Sequence, residues 1–170
     1  MNVPTIELDI VYHLHDPNAV YYSTAQDARI ELAAQWIAQQ FAIDKLYASI
    51  AIVDDATIQQ LNAERLGHDW PTDVISFVLD QTNFSLEGEV IASAETASKM
   101  CLAAGWSAQD ELLLYIVHGL LHVAGMDDVQ PQDRQAMRAA ERECLLAIGV
   151  AHADQHGQDW DNIAIFEVDR

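Results

Sequence analysis

Residues 118–128 of this chain read HGLLHVAGMDD, and this stretch determines how the rest of the sequence is interpreted. His118 and His122 are four residues apart, so on a helix their side chains share one face and both imidazoles can reach a single metal ion. Gly125 is suited to a positive φ at the end of that helix, where it would turn the chain back. A residue three positions later can then supply a third ligand. Asp128 is the best candidate for that ligand.

The number of ligands favours a catalytic site over a structural one. Three protein ligands leave a position open for water, whereas a structural zinc is normally closed by four. A metal ion lowers the pKa of such a water to roughly 7 and makes it a nucleophile at neutral pH. Metalloproteases of the HExxH type carry glutamate between the histidines, but this chain has Gly119 there, which disfavours peptide hydrolysis. The competing interpretation, two satisfied core histidines, does not predict the glycine stop and the acidic pair that follow.

Length and charge limit the class of protein. A chain of 170 residues suits one compact domain with a real core. The 27 acidic and 8 basic residues give a net charge of −19, which disfavours broad binding to phosphate backbones or anionic lipid. The sequence shows neither a signal peptide nor an apolar stretch long enough to span a bilayer, so we expect a cytoplasmic protein without a membrane partner. Cys101 and Cys144 are expected to be buried free thiols in a reducing compartment.

The apolar pattern predicts the element order β-α-β-α-β-β-α-α-α. We expect strands at 5–14, 46–53, 72–79 and 88–93. We expect helices at 25–41, from 54–55 to 61 or beyond, at 94–100 with an end near 105, at 108–123 and at 131–148. This is an α+β domain in which the helices pack on a small mixed sheet. Residues 151–170 form an acidic C-terminal extension, which either docks as an extra strand through 163–168 or remains a loose tail.

Three sequence blocks resemble the YbeY family of bacterial rRNA-maturation endoribonucleases. The family signature HGxLHLxGYDH is matched by HGLLHVAGMDD at 118–128. A second block, LNxxYRGKDKPTDVLSFP, is matched by LNAERLGHDWPTDVISFV at 61–78, and a third, LGDIxI, by LEGEVIAS at 86–93. Met137 and Glu141 also fit a downstream M-x-x-x-E. The resemblance covers about residues 5–148.

The resemblance implies a zincin-like single domain at 1–150, with a small mixed sheet and about five helices. It implies one zinc or a similar divalent ion, and cleavage of single-stranded RNA. Members of the family mature the 3′ end of the small-subunit rRNA and act in ribosome quality control. They also associate with ribosomal components and an Era-type GTPase, so we expect rRNA or the small ribosomal subunit as partner.

Two departures from the family pattern affect the site. The third histidine of the family falls at Asp128, whose oxygen is a competent zinc ligand but makes a harder site that tolerates manganese or magnesium better. Asp127 matches the family aspartate and would support the ligands, although a slip of one residue would exchange the two roles. The family arginine aligns with Leu66. Arg65 stands one place earlier, and it either reaches the substrate phosphate that the family arginine would bind or is a surface residue. His68 stands where the family often has lysine.

Three other residues are candidates for a role in the site. Glu141, on the last predicted helix, could orient a histidine or cap the active-site loop, but a solvated helix face is the preferred interpretation. His152 and His156 form a second HxxxH in a polar segment, and we interpret this pair as incidental.

The sequence therefore predicts a metal-dependent endoribonuclease. His118, His122 and Asp128 hold the ion, and Arg65 or His68 neutralises the phosphodiester. Two alternatives remain open at this point. One is a metallohydrolase of a non-RNA ester or phosphoester; the other is a ribosome assembly factor whose metal is structural.

Overall fold

The computed structural model describes residues 3–15 and 24–156. The four strands are β1 (Thr5–His13), β2 (Lys45–Val53), β3 (Val74–Gln81) and β4 (Ser85–Ser93). The helices are α1 (Thr24–Gln40), α2 (Asp55–Leu66), α3 (Ala94–Ala104), α4 (Ala108–Val123) and α5 (Pro131–Ala147), followed by a short 3-10 helix, Ala151–Gln155. The predicted order of elements is confirmed, and the bounds of α4 are those predicted.

The four strands form one mixed sheet in the order β1-β2-β4-β3. β1, β2 and β4 run parallel, and β3 pairs antiparallel with β4 at one edge. The edge strand begins two residues later than predicted, and the Val74 N–H at its start donates to the Asp73 carboxylate over 2.8 Å. β4 begins three residues earlier than predicted, at Ser85. The prediction of an α+β domain with a small mixed sheet and five helices is confirmed.

Helix α4 lies at the centre of the molecule. Leu113, Ile116 and Leu120 have no more than 1% of their surface exposed, and the side chains of this helix pack against the sheet and the helices around it. Burying each such side chain stabilises the fold by about 1.5–3 kcal/mol. Because most of α4 is enclosed in this way, its position and its rotation about its axis are fixed by the core.

Gly119 allows α4 to approach the sheet closely. A Cβ atom at this position would lie 2.7 Å from Cγ1 of Val90 on β4 and 3.2 Å from Cγ2 of Val74 on β3. Both distances are shorter than ordinary carbon–carbon contact. The residue between the two histidines therefore faces the sheet, where a glutamate side chain would not fit.

The chain beyond α5 contributes to the core as far as it is described. Val150 and Ala153 are buried among the residues of the main core. The extra strand considered for 163–168 lies outside the described residues, and the division of the chain at 150 stays a prediction.

Cys101 and Cys144 are buried free thiols, as predicted, and burial raises the pKa of Cys144 to about 12. Among the helices described, none has the length and apolar content needed to cross a membrane.

Candidate metal centre

The C-terminal end of α4 turns the chain back, as the glycine predicted. Gly125 has a φ of +100°, and its N–H donates to the His122 carbonyl over 2.9 Å. The Met126 N–H donates to the Leu121 carbonyl over 3.0 Å. These two bonds form a Schellman motif, in which a residue of positive φ ends a helix. The residues after the turn are thereby directed back towards the histidine face of the helix.

The two histidines and Asp128 converge on one point. Nε2 of His118 and Nε2 of His122 lie 2.9 Å apart. The Asp128 carboxylate oxygens lie 3.7 Å from Nε2 of His118 and 3.6 Å from Nε2 of His122. Ligands of a tetrahedral zinc at 2.0–2.2 Å are about 3.3–3.6 Å apart, so the two carboxylate distances suit an ion, while the two nitrogens lie somewhat closer than this. One donor atom from each residue lies within 4.8 Å of the others.

Hydrogen bonds at the other ring nitrogens decide which atoms are free to bind a cation. Nδ1 of His122 lies 2.9 Å from the Met126 carbonyl oxygen, which only accepts, so this nitrogen carries the proton. Nδ1 of His118 lies 2.6 Å from a carboxylate oxygen of Glu141 and carries its proton for the same reason. In the neutral rings, both Nε2 atoms then present lone pairs to each other. Only a proton or a cation between them removes that repulsion, and with Asp128 beside them the donor set fits a divalent metal ion.

The two acidic residues after the turn have different positions. The Asp127 carboxylate accepts from the backbone N–H of Asp128 over 2.8 Å and of Val129 over 3.4 Å, so it holds the loop. Asp128 directs its carboxylate towards the histidines and is about one-third exposed. Asp128 is therefore the residue placed as a candidate ligand, and Asp127 is the residue that supports the loop; the two roles are not exchanged.

Glu141 was placed wrongly by the preferred sequence interpretation. It is fully buried, whereas a solvated helix face was expected. Burial alone would raise the pKa of Glu141, but hydrogen bonds from His118 and His156 and the charge of Arg138 outweigh it and lower the pKa to about 2. The side chain is thus a carboxylate that accepts a hydrogen bond from the Nδ1–H of His118 and orients that ring. The structure instead supports the interpretation that the sequence favoured less, in which Glu141 orients a histidine.

The interpretation of the second HxxxH as an incidental motif did not foresee a contact that His156 makes by itself. Its Nε2 lies 2.9 Å from Oε2 of Glu141, and its side chain is 6% exposed. His152, the other half of that HxxxH, is exposed. The pair therefore does not form a second metal site among the described residues; one histidine reaches the network behind the candidate centre.

A sequence signal for Glu141 existed. The buried residues of α5 are Met137, Glu141, Cys144 and Leu145, which follow the spacing of a single helix face. A carboxylate within that apolar stripe indicates a buried, hydrogen-bonded group. His156 had no such signal, since its contact depends on how the chain folds back after α5.

A cleft of about 340 Å³ opens in front of the histidine pair. Its lining is made of edge strand β3, the end of α2 and the histidine face of α4: Leu66, Asp73, Val74, Ile75, Ser76, Phe77, Val78, His118, His122 and Val123. A cavity of this size is in the range of small-ligand sites. One wall is a strand edge and the other holds the two histidines of the candidate metal centre.

Arg65 lies beside this cleft and not in its lining. Its guanidinium forms an ion pair with Glu89 and lies 5.2 Å from the ring centre of Phe77, which is a lining residue. Leu66, the position that aligns with the family arginine, lines the cleft instead. His68 is stacked on Trp70 with ring centres 4.6 Å apart, in the loop that joins two parts of the lining. Arg65 and His68, the two residues predicted to neutralise the phosphodiester, thus lie near the cleft, but Arg65 is paired with Glu89 and His68 is stacked on Trp70.

The fold and the site together define an α+β protein in which a histidine pair on a central helix and an aspartate after its turn form a candidate metal centre. A family model described as Endoribonuclease YbeY matches residues 18–149. The chain belongs to the YbeY endoribonuclease family, which confirms the resemblance found in the three sequence blocks.

Individual relatives agree with this assignment. The chain is 42% identical over 136 residues to the endoribonuclease YbeY of Rhodopirellula baltica, covering 78% of this chain and 70% of the relative. It is 36% identical over 112 residues to that of Desulfitobacterium hafniense, covering 60% of this chain and 71% of the relative. A solution structure of a Thermotoga maritima protein superimposes with a TM-score of 0.56 and 18% identity, covering 91% of this chain and 98% of the other. That structural match supports the fold.

Proposed function

We propose that this chain is a metal-dependent endoribonuclease that cleaves single-stranded RNA. Its proposed substrate is the precursor of the small-subunit rRNA, cut in maturation of the 3′ end and in ribosome quality control. Family membership supports the reaction class, since the relatives carry the name endoribonuclease. The chain's own residues support the metal dependence.

The observation that carries the proposal is the pair of Nε2 atoms, 2.9 Å apart, in rings that donate through Nδ1, with the Asp128 carboxylate beside them. We propose His118, His122 and Asp128 as the ligands of one zinc ion or a similar divalent cation. When bound there, such a cation supplies Lewis acidity towards a phosphate oxygen and a water that is acidic near neutral pH. The carboxylate ligand makes the site harder than one of three imidazoles, which favours tolerance of manganese.

The walls of the cleft suit an unpaired strand. The cleft is bounded by β3 on one side and by α4 on the other. Single-stranded RNA with its bases splayed out can enter such a cleft, whereas an RNA duplex cannot. Trp70 is about half exposed and stacked on His68 in the loop at the cleft. Stacking of one base on an aromatic side chain contributes about 1–3 kcal/mol. This surface offers affinity for RNA without a phosphate-binding patch.

We propose Arg65 as the residue that neutralises the phosphodiester. It is partly exposed and lies against Phe77 in the wall of the cleft, so exchange of its Glu89 partner for a phosphate requires a change of rotamer and not of fold. Because one arginine neutralises about one phosphate, we expect RNA binding at this position to depend only weakly on salt.

The proposed setting follows from the substrate. An enzyme of rRNA maturation acts in the cytoplasm, where it meets the small ribosomal subunit, and an Era-type GTPase is a proposed partner there. Co-sedimentation of the purified protein with small subunits, with and without such a GTPase, measures both associations.

The test uses metal-loaded protein and an RNA that contains the 3′ end of a small-subunit rRNA precursor, supplied single-stranded or annealed to a complement. Cleavage of the single-stranded form is expected, with loss after chelation and recovery when zinc or manganese is added back. The double variant His118→Ala, His122→Ala is expected to be inactive. His152→Ala is the matched control, because this histidine is exposed and outside the site.

Equal cleavage by wild type and the double variant would contradict the proposal. Hydrolysis of a small phosphoester without any cleavage of RNA would favour a different metallohydrolase. Loss of thermal stability on chelation, with ribosome binding retained and no cleavage by any form, would favour an assembly factor with a structural metal.

A further inference from the structure

The carboxylate of Glu141 accepts hydrogen bonds from three side chains. Oε1 accepts from Nδ1 of His118 over 2.6 Å, and Oε2 lies 2.9 Å from Nε2 of His156. Arg138 donates to both oxygens, over 3.1 and 3.0 Å. The side chain of Glu141 has no exposed surface, so it has no water to replace a missing partner. The orientation of this carboxylate therefore depends on its protein partners.

His156 is fixed in place independently of that contact. Its ring is stacked on Trp106, with centres 5.5 Å apart and planes 21° from parallel. Its backbone carbonyl accepts from Arg142 over 3.0 Å. It follows the 3-10 helix after α5 and lies beyond residue 149, where the match to the family model ends. A residue outside the matched region thus sits behind the candidate metal centre.

In the contact between His156 and Glu141, the histidine is the hydrogen-bond donor. Glu141 is a carboxylate and only accepts, so Nε2 of His156 donates to Oε2. His156 donates to Oε2 alone, whereas Arg138 donates to both oxygens. Rotation of the carboxylate about its terminal bond would break the bond from His156, so this bond adds to Arg138 in keeping Oε1 next to the Nδ1–H of His118. Partners that orient a ligating histidine in this way are worth about 10–100-fold in metal affinity when they are removed.

We propose that His156 is a positioning residue for the metal centre, acting through Glu141 on the ring of His118. The proposal rests on the proposed function only in taking His118 as a metal ligand. It assigns the segment after residue 149 a role in the site, beside that of Arg138 in the matched region. The ring of His156 does not itself touch the ligand atoms, so its effect is on affinity and geometry.

Two substitutions separate the hydrogen bond from the packing. His156→Phe keeps a ring against Trp106 but removes the donor, whereas His156→Gln keeps an N–H donor at similar reach but removes the ring. His152→Ala is the matched control, four residues away and exposed. All are made in the full-length chain, and the melting temperature of each metal-free protein is measured first to show that it folds.

The main readout is zinc affinity, measured by competition with a chromophoric chelator. The direct partner of His118 is Glu141, and loss of such a partner costs about 10–100-fold in metal affinity, so we expect His156→Phe, one contact further away, to bind zinc more weakly than wild type by up to about 10-fold. His156→Gln is expected to stay close to the wild-type value, and His152→Ala to match it. A second readout needs no metal: in ¹⁵N-labelled protein, the Nδ1 proton of His118 is expected to exchange with water faster in the Phe variant than in the Gln variant.

Wild-type zinc affinity and slow exchange in His156→Phe would overturn the proposal and leave His156 a packing residue. Equal loss of affinity in the Phe and Gln variants would overturn it as well. Failure of wild type to cleave RNA while it binds zinc in the competition assay would contradict the proposed function and leave this inference standing.

Discussion

Nδ1 of His118 lies 2.6 Å from Oε1 of Glu141, and this contact joins the central helix to the last long helix across the core. Two other groups, from Arg138 and His156, donate to the same carboxylate. The carboxylate is therefore both an orienting partner of a proposed ligand and a buried centre of negative charge.

Replacing Glu141 with alanine is expected to weaken zinc binding about 10–100-fold, because the ring of His118 loses its orienting partner. The same change leaves buried donors unpaired and is expected to lower the free energy of unfolding by about 1–3 kcal/mol or more. Chelator competition and denaturant unfolding measure the two effects. Glu143→Ala, on the exposed side of the same helix, is the control and should change neither. Zinc affinity equal to wild type in Glu141→Ala would show that the contact is structural only.

Asp128 and Asp127 should respond differently to replacement by asparagine. Asp128→Asn removes a charged ligand and is expected to lower zinc affinity at least about 10-fold. Asp127→Asn keeps an oxygen that accepts the loop N–H groups and should bind zinc nearly as wild type. Asp128→His gives three imidazoles and is expected to shift the preference from manganese towards zinc. Calorimetric titration with each metal checks all three; a larger loss in the Asp127 variant would reverse the assignment.

Gly119→Ala is expected to destabilise the fold although alanine is the better helix former. The gain of about 1 kcal/mol in helix propensity is outweighed by overpacking against fully buried Val90, which costs about 1–3 kcal/mol. Thermal unfolding of the metal-free protein measures the difference. Ser98→Ala, at an exposed helix position, serves as the reference for propensity alone. A more stable Gly119→Ala variant would mean that the helix can move away from the sheet.

Asp55 makes the stability of the chain depend on pH. Burial acts to raise the pKa of Asp55, but hydrogen bonds from Lys99, Ser93 and Thr96 outweigh it and hold the pKa below its ordinary value of 3.8. A lowered folded-state pKa stabilises the fold above the unfolded pKa, and the stabilisation is lost as the pH falls through the folded pKa.

The variant Asp55→Asn is therefore expected to unfold about 1–3 kcal/mol more easily than wild type at pH 7, with the gap closing below a pH of about 4. Urea unfolding at a series of pH values measures the gap. Lys99→Met, which removes only the exposed partner, should have the smaller effect at pH 7. A gap that stays constant down to pH 3 would show that Asp55 does not titrate with folding.

Much of the fold was predictable because local signals agree with the tertiary structure. Ser107 caps α4 by accepting from the Asp110 N–H, and Asp54 caps α2 in the same way through Thr57. These residues, together with Gly125, determine where helices begin and end without help from distant parts of the chain. The two histidines follow from the same helix, since their spacing alone places them on one face.

The part of the site that could not be predicted depends on contacts between distant segments. Glu141 is 23 residues from His118 along the chain, and His156 reaches it only because the chain folds back after α5. Arg65 likewise has a partner, Glu89, that is 24 residues away. No local rule fixes such pairings, which are set by how helices pack on the sheet.

The facing Nε2 atoms of His118 and His122 have a practical consequence for anyone who handles this protein. Only the folded chain brings these two atoms together with the Asp128 carboxylate, so a divalent ion held at the proposed site would bind the folded chain in preference to the unfolded one. At an ion concentration about 100 times the dissociation constant, this preference adds about 2.7 kcal/mol of stability. Two batches of identical sequence, grown in media with different trace-metal content, should therefore differ in heat resistance and shelf life.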